Sequence, residues 1–379
     1  MRVRLGDYIK EYSVKNKNNE DIPVYSVSNS LGFCKDYFGK EVASKNKTTY
    51  KIVPRGCFAY NPSRINVGSV DWQNEEERVI VSPLYNVFSV SPLLDQQYLL
   101  YYLKSNVTLS RIRAVASGSV RDNLKLSMLY EFPIDLISLD QQYDVVSTLN
   151  AVQKIIDLYQ KGLSYLDELV RARFVEMFGD VSMGLFNYQT CKLGDVAKVG
   201  SSHRVFTTEF VENGIPFYRG TEIGELANGK KPINPYYISE EHYKRLAEDE
   251  TKPLIGDLLM PSICNKGQVW MVDSEEPFYY KDGRVLCISP NKEVFNSRFL
   301  QYFMREKTLV EYPKIGSGST FAEFKIFLLK DMDVLVPPLE LQNQFASFVQ
   351  EIDKSRSRIQ KSLEASQELF DSLMQEYFG

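Results

Sequence analysis

The sequence predicts an α+β protein built as two tandem copies of one plan, a mixed α/β globular unit followed by a long helix. Three observations carry this. Residues 141–179 and 341–379 repeat one another at an offset of 200 residues and both end in Phe-Gly. Short anchor sequences recur in the same order ahead of both stretches. Between the anchors lie short β-rich runs bounded by Gly, Pro or Asn.

The helices come first because they set the register. In the first copy Leu149, Val152, Ile156, Tyr159, Leu163, Leu166 and Val170 step by three or four residues; in the second, Val349, Ile352, Ile359, Leu363, Phe370 and Leu373 step by three, four or seven. That spacing is one stripe of a helix with a heptad period. About 39 residues would span roughly 58 Å. The stripe is narrow and its flanks are charged, so each helix needs a partner along its seam, and the obvious partner is its twin. Arg173 stands in the slot of Leu373, and Arg356 and Ser366 stand in the slots of Ile156 and Leu166. These interruptions either fix register or face another protein, or they are solvated drift after duplication.

The globular units share anchors. Leu5-Gly6-Asp7 matches Leu193-Gly194-Asp195, and Arg55-Gly56-Cys57-Phe58 has a looser counterpart in Ile255-Gly256-Asp257-Leu258. Tyr98 to Leu103 parallels Phe299 to Met304, and Ser117-Gly118-Ser119 parallels Ser317-Gly318-Ser319. Val79 to Val81, Tyr85 to Val90 and Val269 to Val272 read as strands, and one amphipathic helix per unit is expected near 95–104 and 297–305. The period is too long for a solenoid.

Composition excludes several classes. With 379 residues, 44% hydrophobic and 13% aromatic, the chain holds two or three packed domains. No apolar run approaches the ~20 residues that cross a bilayer, and the expected compartment is the cytoplasm. Cys34, Cys57, Cys191, Cys264 and Cys287 are scattered without a CxxC, as in reduced thiols. Two histidines, His203 and His242, leave little for a zinc site or a histidine triad, and no metal site is expected. The net charge of −4 divides unevenly: residues 1–135 carry 18 Lys+Arg against 14 Asp+Glu, whereas 136–180 and 339–379 each carry 4 against 7. Residues 181–338 carry 19 against 21. The first globular unit is therefore basic, and six of the excess acids sit in the helices.

Enzyme motifs are incomplete. Asn234-Pro235-Tyr236-Tyr237 nearly spells the Asn-Pro-Pro-Tyr loop by which amino-methyltransferases hold a flipped base. The second Pro is missing and no Gly-rich cofactor loop follows a strand, so a Pro-Tyr turn is the ordinary explanation. Gly316 to Thr320 lacks the Gly-Lys-Ser/Thr ending of a phosphate loop, and Glu75 to Glu77 reads as a solvated turn.

The ordered anchors, the Pro337-Pro338-Leu339-Glu340 lead-in with Gln342, and the Phe-Gly helix ends together resemble the specificity subunit of type I restriction-modification systems across essentially the whole chain. The first copy departs from the pattern by entering its helix through Ser138-Leu139-Asp140, which costs a helix-start signal. The resemblance implies target-recognition domains at 1–138 and 181–338, and spacer helices at 139–180 and 339–379 paired as an antiparallel coiled coil. It implies a non-catalytic reader of double-stranded DNA in which each domain reads half of a split, asymmetric site. Two methyltransferase subunits would dock on the helices and bring S-adenosylmethionine. Motor-nuclease subunits would bring ATP and Mg, and this chain would bind no cofactor. The alternative is a coiled-coil scaffold that joins proteins without reading DNA.

Base reading needs planar or bidentate donors on loops, with Lys and hydroxyls on phosphates. In the first unit the candidates are Arg111, Arg113, Ser117, Ser119, Arg121, Asn123 and Lys125, with Tyr60, Asn61 and Arg64 on a second loop. In the second unit they are His203, Arg204, Tyr218, Arg219, Asn265 and Lys266, together with Lys314, Ser317, Ser319, Thr320 and Lys325. For any single cation a solvated surface charge is the competing explanation.

Overall fold

The computed structural model describes residues 1–35, 46–116, 123–248, 251–315 and 322–379. It divides into two compact units, one of 1–162 with 359–379 and the other of 163–358. Each long helix, Leu139–Phe178 and Leu339–Phe378, therefore gives one part to each unit. The fold is α+β, as the sequence predicts.

In the first unit, Arg2–Arg4 pairs antiparallel with Pro133–Asp135. Leu5-Gly6-Asp7 follows as a 3-10 turn. A Cβ on Gly6 would lie 2.6 Å from that of Tyr130, so only glycine lets this turn approach. A four-stranded antiparallel sheet runs in the order Ile9–Glu11, Asn86–Val90, Phe58–Tyr60, Val70–Trp72. The stacked rings of Phe58 and Phe88, 5.0 Å apart, tie its centre together. Helix Gln96–Lys104 is N-capped by Asp95, which accepts from the Tyr98 N–H at 2.9 Å. After a break at Ser105, helix Asn106–Ala116 continues.

The second unit repeats this plan. Thr190–Lys192 pairs with Asp333–Leu335, and the four-stranded order is Ala197–Gly200, Val285–Pro290, Leu258–Pro261, Trp270–Met271. The loose Arg55-Gly56 and Ile255-Gly256 match is one turn used twice: both glycines have positive φ, 83° and 93°. Their N–H groups donate to Gln73 and Val272 carbonyls respectively. The second unit also departs from the first, which has its own pairs Ser26–Ser28 with Gly32–Cys34 and Lys51–Pro54 with Arg78–Val81. Ser297–Ile315 is a single helix. A further sheet of Phe210–Val211, Tyr236–Ile238, Ile215–Tyr218 and Tyr279–Tyr280 is present as well.

The long helices run antiparallel. Within the first unit Gly162 faces Ile359; within the second, Asp167 pairs with Arg356 and both Phe174 and Phe178 pack on Phe345. Leu149, Val152, Ile156, Val170 and Val349 of the expected seam are buried, and Tyr159, Leu163, Leu166, Ile352, Ile359, Leu363, Phe370 and Leu373 are half-buried. Arg356 is a cross-helix ion pair, with Nη2 2.7 Å from Asp167 Oδ1. Near the end of the first helix the buried stripe runs through Val170, Phe174 and Phe178, and Arg173, half-buried beside it, pairs with Glu176. Nor does the first helix lack a start signal. Ser138 and Gln141 form a reciprocal cap, with Gln141 N donating to Ser138 Oγ and Ser138 N to Gln141 Oε1.

One glutamine per repeat joins helix to globular part. Gln142, fully buried, accepts from the Asp95 N–H at 2.8 Å and donates to the Leu93 and Ile137 carbonyls. Gln342 does the same with the Asn296 N–H and the Val294 and Pro337 carbonyls. Leu149 and Phe378 lie in the core of the first unit, and Val170, Phe174, Phe178, Phe345 and Val349 in that of the second.

Candidate nucleic-acid interface

Two loops far apart in sequence meet in the first unit. The Leu124 N–H donates to the Pro62 carbonyl at 3.1 Å, and Arg113 Nε donates to the Asn66 carbonyl at 3.3 Å. Asn61 Oδ1 accepts from both the N–H and the hydroxyl of Ser63, an Asx turn that leaves Arg64 exposed. Arg64, Arg113, Asn123 and Lys125 thus stand exposed on one ledge.

Two candidates of this unit stand off the ledge, Tyr60 beneath it and Arg111 to one side. Tyr60 is fully buried, its hydroxyl donating to the Leu124 carbonyl at 3.1 Å and accepting from Asn86 at 2.9 Å. Burial pushes its phenol pKa well up. Tyr60 therefore supports the ledge from inside and presents nothing to a ligand. Arg111 stands two residues before Arg113, which on a helix points the two side chains apart. It lies 5.8 Å over the Phe132 ring and lines a small cavity with Arg2, Tyr98 and Tyr102. Ser117, Ser119 and Arg121 lie outside the described residues, as do Ser317, Ser319 and Thr320.

The second unit makes the same junction 200 residues on. The Phe324 N–H donates to the Ser262 carbonyl at 2.7 Å, and the Ser262 N–H to the Arg284 carbonyl at 2.9 Å. Asn265 and Lys266 are exposed on the turn that follows. Lys325 Nζ lies 2.7 Å from Glu323, which also pairs with Arg284. The hydrogen bond from Lys325, aided by the charge of Arg284, holds the Glu323 carboxyl below the usual range. Ser201 accepts from the Gly283 N–H and Arg204 lies 3.6 Å from Asp282, which brings the exposed His203 and Arg204 to the same 281–284 turn. Lys314, at the end of its helix, pairs with Glu311.

Tyr218 and Arg219 join this turn through the Lys281 N–H, which donates to the Tyr218 carbonyl at 2.9 Å. Tyr218 stacks on Phe278 and is half-buried. Arg219 donates from Nη2 and Nε to Glu222, at 2.6 and 3.2 Å. Burial raises the Glu222 carboxyl, but the hydrogen bonds and charge of Arg219 outweigh it and hold the group below the usual range.

The family model described as the type I restriction modification DNA specificity domain matches residues 4–166 and again 187–367. The chain belongs to that family. Its two matched copies make this a DNA specificity subunit, not a scaffold that merely joins proteins. The chain is 24% identical over 275 residues to a Haemophilus influenzae protein provisionally named a type I restriction enzyme specificity subunit, covering 71% of this chain and 67% of that one. It is 21% identical over 398 residues to the MjaVIII specificity subunit of Methanocaldococcus jannaschii, covering 95% and 89%. The type I restriction-modification S subunit from M. genitalium matches its fold with a TM-score of 0.57 at 14% identity, over 100% of this chain and 96% of that one. A chain solved in work on complex assembly and conformational transition of the type I system matches with a TM-score of 0.59 at 15% identity, over 100% and 97%.

The specificity subunit carries cations that sequence reasoning missed. Lys281 and Arg284 flank a Gly-containing turn between two strands, and a basic turn so placed was the available signal. Arg204, Lys281, Arg284 and Lys325 each face Asp282 or Glu323. In these pairs the cations are the more exposed partners, Arg204 at 68% and Lys325 at 55%, whereas Asp282 and Glu323 are 24% and 17% exposed. Among the described residues no helix is long and apolar enough to cross a membrane, and no cluster of His, Cys, Asp and Glu could hold a metal.

Proposed function

We propose that each unit lays its ledge on duplex DNA and reads one half of a split, asymmetric site, while the helix pair sets the unread spacer. The observation that carries this is the shared junction, Leu124 to Pro62 and Phe324 to Ser262, which gathers two donor-bearing loops at equivalent places in both repeats. The chain does no chemistry in this reading. Methyltransferase subunits docked on the helices bring S-adenosylmethionine, and motor-nuclease subunits bring ATP and Mg. Ile155, Leu158, Tyr165 and Leu169, exposed on the first long helix, support the docking role.

The test is salt-dependent binding of the assembled complex to DNA carrying its site. Lys125→Ala and Lys325→Ala should each weaken binding and reduce the slope of log affinity against log salt by about one. Unchanged affinity and slope in both variants would remove the ledges from the interface.

A further inference from the structure

The Asn234-Pro235-Tyr236 turn lacks the second proline of the base-holding loop, yet its geometry has a use. Asn234 has a φ of 61°, in the left-handed region that Asn tolerates better than most residues. The turn carries Tyr236 into a stack. Its ring lies parallel to Phe210, with centroids 4.6 Å apart, and the Arg219 guanidinium lies 4.4 Å from its centroid. Tyr236 thus packs against both the Phe210 ring and the Arg219 guanidinium. Its hydroxyl acts on Arg219 as a minor polar partner.

Glu222 fixes the guanidinium along one edge. Its carboxylate takes Nη2 and Nε, and it also accepts the Arg219 backbone N–H at 2.8 Å. The Glu222 side chain is only 6% exposed, whereas that of Arg219 is 42% exposed. The donors that Glu222 leaves over are the hydrogens on Nη1 and the second hydrogen of Nη2. The clamp stands beside the ledge, since a Cβ on Gly220 would lie 3.1 Å from Pro261 and 3.9 Å from the Arg284 carbonyl.

We propose that Arg219 reads a guanine in the half-site held by the second unit, with Glu222 and Tyr236 as positioning residues. This rests on the second unit reading DNA. Parallel N–H groups from Nη1 and Nη2 match the O6 and N7 acceptors of guanine in the major groove; adenine puts a donor where O6 would be. A phosphate would also accept from this fork. It takes the fork bidentately but carries no base identity, so a phosphate contact would weaken all sequences alike, whereas a guanine contact acts at one position.

The experiment is selection from random duplex DNA by the full chain assembled with the methyltransferase subunits of its system, comparing wild type with Arg219→Lys, Glu222→Gln and Tyr236→Leu. Wild type should select a guanine at one position of one half-site. Arg219→Lys should lose that preference by roughly ten- to a hundredfold while every other position holds. The two positioning variants should relax the same position less. Retention of the other half-site shows that each variant is folded. The assignment is overturned if Arg219→Lys keeps the guanine, or if it weakens all sequences equally, as a phosphate contact would. A wild-type complex that selects no sequence overturns the DNA reading beneath it as well.

Discussion

The Glu222 carboxylate accepts three hydrogen bonds from Arg219 while almost wholly buried, so its charge is coupled to folding. Its folded pKa is lowered from the ordinary 4.5. A lowered carboxyl stabilises the fold fully above the unfolded value and loses that contribution as pH falls through the folded one. Glu222→Gln should therefore cost about 1 kcal/mol near neutrality, and the gap from wild type should close below pH 4.5. Denaturant unfolding of both proteins across that range checks it; a gap independent of pH would show that the carboxylate charge contributes nothing. Single residues were the least legible level. Tyr60 beside Asn61 and Arg64 has the composition of a stacking loop. Its strand is covered on both faces, Phe58 and Tyr60 in one core and Ala59 in another, so no alternation warns that the ring points inward.

At the level of elements, the anchors map onto real equivalences because each meets a backbone requirement. Gly6 and Gly194 stand where a Cβ would press on Tyr130 or Lys330, and Gln142 and Gln342 satisfy the same three backbone groups in each repeat. The seam positions read from the sequence are buried or half-buried along both helices, while Phe174 was not among them. A heptad period holds while one helix follows another. Where the first helix enters a globular core, burial steps by four through Val170, Phe174 and Phe178 instead. Phe174, packed against Phe178, Tyr302 and Phe345, should on replacement by Ala destabilise the protein by about 3–5 kcal/mol. Arg173→Ala should cost less than about 0.5 kcal/mol. Chemical denaturation separates the two, and equal losses would return the seam to Arg173.

For the whole molecule, the duplication explains why net charge misleads. Acidic excess sits on the long helices, and the ledges keep their own cations. The additional sheet of the second unit, from Phe210 to Tyr280, was not legible, because its strands are two to four residues long and the repeat offers no template for them. That sheet carries both Arg219's neighbour Tyr218 and its platform Tyr236, so the recognition apparatus of the two units differs while the scaffold matches. Two different readers on one duplicated frame should read two different half-sites. The most direct measurement is a genome-wide map of modified bases in cells with this reading frame intact and deleted. The account predicts that one asymmetric split motif, with a fixed unread spacer, disappears on deletion. A map that keeps all its motifs, or loses only an uninterrupted one, would contradict it.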